Sequence, residues 1–218
     1  MSEEAKAVQE VAKLAKQSLE TAERIGGWTG AVFGEGLQHV GGAFADSMAG
    51  FRLRNRVRVL EKTHTAIAKA GMLSQMRPLS DRMALPIFEA ISDEPDETIQ
   101  DVWAAYLKGA VDPSKPLPDR TLIDVIRRLE PIDWPIIQRL FSVGEVKVSV
   151  GDLEVDDHTA EVVMDRLTVL GLFSYDDDKS AYLVMGGHME GVLSIDVPPG
   201  TYYANKLFYQ FRAATGNA

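Results

Sequence analysis

The chain has no cysteine among its 218 residues. That absence excludes disulfides, thiolate zinc sites and cysteine nucleophiles together. It fits a reducing cytoplasm, where the protein is expected to reside. Positive charge is scarce: 23 Lys and Arg stand against 32 Asp and Glu, a net charge of −9. Nucleic acid is therefore disfavoured as a partner, because phosphate binding needs a positive surface. No apolar run reaches the roughly 18 residues of a transmembrane helix; Glu35 and Asp46 interrupt the best candidate. The opening MSEEAKAVQE is acidic and lacks a signal-peptide pattern.

Catalytic motifs are missing too. His39, His64, His158 and His188 form no HxxxH or HExxH, and GxGxxG, GxxxxGK[ST] and GxSxG do not occur. His64 stands in an apolar helical series, where a packed histidine is the expected reading. Asp156, Asp157, His158 and Glu161 make the densest group of ligand-type side chains. A helix N-terminus attracts acidic residues for dipole reasons alone. No enzymatic activity, metal or cofactor is expected.

What is present is a core-forming composition, 45% hydrophobic and 25% charged. The expected fold class is mainly α with a small β component (α+β). A helical region over 1–111 is expected to lead through the proline-rich linker DPSKPLPD (112–119) to a C-terminal domain over 120–218.

The chain is organised around residues 25–58. Residues 3–24 precede them as a helix with a heptad seam at Ala5, Val8, Ala12, Ala15, Leu19 and Ala22. Then Gly26, Gly30 and Gly34 recur every four residues, the small-residue spacing that lets helices pack backbone to backbone. Phe33, Leu37, Val40, Phe44, Met48 and Phe51 follow at helical spacing and share one face, with Glu35, Gln38, His39 and Asp46 opposite. Residues 25–51 accordingly read as a buried hairpin bent at a glycine pair, as an oligomer contact, or as a conditional membrane contact. Arg52, Arg54, Arg56 and Arg58 come next. Clustered Arg after an apolar amphipathic segment suits an anionic lipid surface; the alternative is a helix start pairing with acidic neighbours.

Beyond this, Leu53, Val57, Leu60, His64 and Ile67 continue a helix. Another is expected over 81–92 on Met83, Leu85, Phe88 and Ile91, with Pro86 either starting or kinking it. The turn SDEPDET loads carboxylates onto a helix over 96–110 that buries Ile99, Val102, Trp103, Tyr106 and Ala110. After the linker come a helix over 120–130, a short helix in PIDWPIIQRLF and a strand in EVKVSV. A helix over 158–170 closing at Gly171, a hairpin in FSYDDDKSAYLVM, a strand near 192–197 and a final helix YYANKLFYQFRAA complete the chain. Helix, helix, strand, helix, hairpin is the order of a winged-helix domain. Its third helix and hairpin tip are acidic (Asp156, Asp157, Glu161, Asp165; Asp176, Asp177, Asp178), which repels phosphate. A protein-interaction role is the better expectation, with a DNA-binding regulator as the alternative.

EEAKAVQEVAKLAKQSLETAERIGGWTGAVFG, the run into FRLRNRVRVLEK, and ALPIFEAISDEPDETIQDVWAAYLKGAVDP resemble the Abi-alpha (abortive infection alpha) family, as do IDVIRRLEPIDWPIIQRL and MDRLTVLGLF. The last helix departs from it, with TYYANKLFYQF where a short LT-x-LG motif belongs. The resemblance implies a bacterial or phage-associated origin and a role in anti-phage defence, and it brings no catalytic residues. Taken with residues 25–58, the expectation is a non-enzymatic defence protein that self-associates. It would answer to a phage or host protein and make conditional peripheral contact with the anionic inner membrane. The alternative is a soluble oligomeric scaffold or adaptor with 25–51 buried.

Overall fold

A computed structural model of the chain describes Trp28, Val32, Phe33 and residues 47–142, 147–175 and 201–216. The described residues form seven α-helices and one three-stranded antiparallel sheet, a mainly helical α+β architecture. They divide into two compact units, Met1–Trp134 with Ala213–Ala218, and Pro135–Arg212. Residues 112–119 lie within the first.

The first unit is built on α1 (Ser47–Lys69), which packs against α2 (Asp81–Asp93) and α3 (Glu97–Val111), with the short α4 (Thr121–Ile126) against the last two. The periodicity explains why. Val57, Leu60 and Ile67 of α1 are buried with Met83, Ile87 and Ile91 of α2 and Ile99, Val102, Trp103, Tyr106 and Leu107 of α3. Burying each such aliphatic side chain is worth about 1.5–3 kcal/mol. Helix α3 starts where Asp96 accepts from the Thr98 amide (2.8 Å) and the Ile99 amide (3.1 Å), so the acidic turn acts as an N-cap. Its C-terminal carbonyls are closed by Arg77, whose amide donates to the Val111 carbonyl (2.7 Å) and whose Nη2 donates to that of Ala110 (2.9 Å).

Pro86 sits inside α2 and does not begin it. Leu85, counted in the apolar series of this helix, is 50% exposed: Met83, Ala84, Ile87, Ala90 and Ile91 fill the inner face, and residue 85 falls outside that arc. Helix α3 also meets residues 213–216 of the first unit closely. A Cβ on Gly109 would stand 2.0 Å from the Ala214 carbonyl oxygen, so only glycine allows this approach.

The second unit takes in most of α5 (Asp133–Ser142), then β1 (Lys147–Ser149), a 3₁₀ turn (Val150–Asp152), α6 (Asp157–Val169), β2 (Phe173–Tyr175), β3 (Thr201–Ala204) and most of α7 (Lys206–Thr215). The sheet order is β1-β3-β2, with Val148 opposite Tyr202 and Phe173 opposite Ala204. Asp156 caps α6 by accepting from the Thr159 amide (3.0 Å), and Gly171 ends it at φ +76°, the left-handed conformation expected of that glycine. Phe208 packs on Phe173 and Phe141 with ring centroids 4.9 and 5.5 Å apart.

The final helix differs from expectation. Residues 201–204 are a strand, and the helix begins at Lys206. Tyr202 and Tyr203 suit a pleated surface and pair on both sides with β1 and β2, which outweighs the helical spacing of the aromatics that follow. Asn205 fixes the junction: its amide donates to the Leu172 carbonyl (2.8 Å) and its Nδ2 to the Gly171 carbonyl (3.2 Å). The expected strand near 192–197, the tip of the expected hairpin and the helix over 3–24 lie outside the described residues.

Candidate functional site

Of the residues singled out in 25–58, the structure brings one part of the glycine-rich stretch and the start of α1 together around α2. Trp28, Val32 and Phe33 are all buried, Val32 completely. The Trp28 indole N–H donates to the Met76 sulfur at 2.8 Å, and its ring meets His64 edge-on at 5.8 Å. The Val32 carbonyl accepts from the Leu79 amide (2.9 Å), and Phe33 packs edge-on against Phe88 at 5.9 Å. This segment is therefore seated on α1, α2 and the connection between them. His64 sits in that seat as a half-buried packing residue.

The arginines do not act as one group. Arg52 Nε reaches Asp93 Oδ1 at 2.8 Å, with both side chains more than half exposed, so this ion pair adds little stability by itself. Arg56 Nε donates to the Ser92 hydroxyl, and its guanidinium lies over the Phe88 ring at 4.4 Å. Burial lowers the pKa of Arg56, Arg52 lowers it further and Asp93 opposes both. Between them Asn55, buried, donates Nδ2 to the Ser92 carbonyl at 3.1 Å. Arg52, Asn55 and Arg56 thus clasp the C-terminal end of α2, where the helix dipole favours positive charge. Arg54 lies over the half-buried Phe51 ring at 5.8 Å, and Arg58 faces solvent.

Gly26, Gly30, Gly34, Leu37, Val40 and Phe44 lie outside the described residues, and Met48 falls in the first turn of α1. Of the expected apolar face, Phe33 is buried against Phe88 of its own chain and Phe51 carries Arg54. Sequence reasoning missed Trp28 as the anchor, although it is the one Trp in a run of small residues. It also missed Asn55 and Ser92, for which a polar residue in each apolar helical series was the available signal.

A concave feature of the first unit is a cavity of about 210 Å³ lined by Lys62, Asp101, Lys108, Gly109, Lys115 and Ala214 among others. Its charges are largely engaged. Lys62 Nζ pairs with Asp101 (2.6 Å) and donates to the Glu97 carbonyl (2.9 Å), and Lys115 Nζ donates to the Ala213 and Gly216 carbonyls (3.1 and 3.3 Å). That arrangement braces α1, α3 and residues 213–216 and offers no acid–base pair to a substrate. Among the described residues no group of three or more His, Cys, Asp or Glu could hold a metal ion. No helix of the described residues is long and apolar enough to cross a membrane. No family model, no curated protein and no solved structure matches the chain.

Proposed function

We propose that this chain is a non-enzymatic protein of the abortive-infection type that works by self-association. In its resting form, part of residues 25–51 is held against its own first unit. The observation that carries the reading is the seat of Trp28, Val32 and Phe33 on α1 and α2. A segment so rich in glycine and large apolar groups is stable in water only while covered, and here a part of it is covered from within. The anti-phage role rests on the resemblance of the quoted segments to Abi-alpha. A phage or host protein that displaces Trp28, Val32 and Phe33 would release their segment to a second copy, or to the anionic inner membrane beside Arg54 and Arg58.

The second unit adds the sensing or assembly part. The order α5, β1, α6, β2, β3, with sheet order β1-β3-β2, supports a winged-helix-like domain. The acid on α6 speaks against DNA as its partner. Light scattering tests self-association: the Trp28→Ala/Phe33→Ala variant, with the seated segment released, is expected to form an oligomer, and a strictly monomeric variant would dispose of it. Flotation with anionic vesicles tests the membrane step. The wild type stays in solution, the Trp28→Ala/Phe33→Ala variant floats, and adding Phe44→Glu returns it to solution. If neither protein floats, even with infected-cell extract, the membrane step falls.

A further inference from the structure

Helix α6 buries a narrow stripe, Ala160, Val163, Met164 and Leu167, against its own unit. At 3.6 residues per turn the opposite arc, about 100° wide, holds Glu161, Asp165, His158, Val169 and Val162 in angular order. All five are exposed. Val169 is 70% exposed and Val162 44%, two β-branched side chains two turns apart on the solvent side. Valine is a poorer helix former than alanine or the long polar residues, so helix propensity does not favour it on a solvated face. Glu161 and Asp165 form one flank. That flank continues onto the sheet, where the Tyr202 hydroxyl donates to Asp165 Oδ1 (3.4 Å) and the Tyr202 ring packs at a tilt against the 42% exposed Tyr175. Arg166, half-buried, is already engaged in an interaction of its own.

We infer that this face of α6 docks a basic amphipathic helix of a partner protein. The partner's aliphatic side chains would lie on Val162 and Val169, and its Lys or Arg groups against Glu161 and Asp165. The charge of the flank selects the occupant: acid repels nucleic acid and attracts a cationic segment, while the two valines supply the apolar centre that an interface needs. The inference rests on the reading of the second unit as an interaction module and names the surface and the partner's chemistry.

The test uses isotopically labelled full-length protein and a 14-residue Leu/Lys peptide that forms an amphipathic helix, with its scrambled isomer of equal charge as the control. Amide shift changes are expected to cluster on residues 158–169 and Tyr175 with the amphipathic isomer. Affinity should fall about tenfold in Val162→Ser/Val169→Ser and in Glu161→Lys/Asp165→Lys, with folding checked by circular dichroism. Equal binding of both isomers, or no loss in the serine variant, overturns the proposal. Shifts that cluster on another face of residues 135–212 overturn this surface but leave the interaction-module reading standing. Concentration-dependent broadening of residues 158–169 without peptide assigns the face to a second copy. Shifts there with duplex DNA refute both the inference and the interaction-module reading.

Discussion

Helices α3 and α6 begin alike and are used in opposite ways. Each starts after an aspartate whose side chain accepts from backbone amides, Asp96 for α3 and Asp156 for α6. Yet α3 buries ten of its 15 residues and α6 four of its 13. The cap decides where a helix starts and says nothing about how deep it lies. Depth follows from the width of the uncharged arc. Between its ends α3 carries only Asp101 and Lys108, whereas α6 carries His158, Glu161, Asp165 and Arg166. Helix α3 is therefore a core element, and α6 is an amphipathic cover with one face left to solvent.

The sharpest way to break that comparison is the same exchange, Gly→Ala, at the two glycines that serve these helices. In α3, alanine at 109 would gain up to about 1 kcal/mol of helix propensity. Its Cβ would lie 2.0 Å from a backbone oxygen, that of Ala214. Overpacking against backbone wins, and Gly109→Ala should cost about 3 kcal/mol. Behind α6, a Cβ on Gly171 would meet only the Leu207 Cδ2 at 3.8 Å, an ordinary contact, so its positive φ is the main constraint and Gly171→Ala should cost about 1 kcal/mol. Thermal and urea unfolding of both variants check this. Equal costs would mean that residues 213–216 do not press on α3.

The caps come next in size. Asp96→Ala removes the acceptor of two backbone N–H groups at a half-buried helix start and should cost about 1 kcal/mol. Asp156→Ala, at the exposed start of α6, should cost less. Its hydrogen bonds from Thr159 hold the Asp156 carboxyl below its ordinary value of 3.8, so the folded state favours the ionised form. Its contribution is then full above pH 3.8 and fades as pH falls through the lower folded value. The gap between wild type and Asp156→Ala should accordingly narrow from pH 7 to pH 3. A gap that widens would show that the cap bond is not what the side chain supplies.

What was legible follows the same division between local and distant causes. The acidic turn before α3, its apolar series and Gly171 after α6 act through neighbours within a turn or two, and the sequence carried them. Strand β3 did not show. Tyr202 finds its partners at Val148 and Tyr175, far away in the chain, and its own neighbours favour a helix. The arginines suggested a free basic patch as readily as paired side chains, because their partners Ser92 and Asp93 stand some 40 residues on. Trp28 meets Met76 at 48 residues' separation, and no local pattern announces that. Leu85 fits the α2 periodicity within one residue step, an error that periodicity alone cannot resolve.

The smallest effect expected concerns the depth of α3 itself. Tyr106 is wholly buried there, packed edge-on against Trp103 at 6.0 Å, and its hydroxyl has no hydrogen-bond partner among the described residues. A buried hydroxyl without a partner is destabilising, so Tyr106→Phe should stabilise by about 0.5 kcal/mol once the lost oxygen contacts are allowed for. Burial raises the Tyr106 pKa above its ordinary 10, and the charge of Asp119 raises it further. The folded state thus keeps its proton where the unfolded chain loses it. Ionisation therefore makes no difference to stability below pH 10 and weighs against the folded state as pH rises beyond it. Wild type should therefore weaken more steeply than Tyr106→Phe from pH 9 to pH 11. Tyr202 of the second unit, pushed up to about 12 by burial and then by Asp165, contributes the alkaline slope common to both proteins. Should the variant unfold more easily at neutral pH and keep the full slope, the Tyr106 hydroxyl would have a bonding partner in solution, and α3 would be less dry along this side than its burial shows.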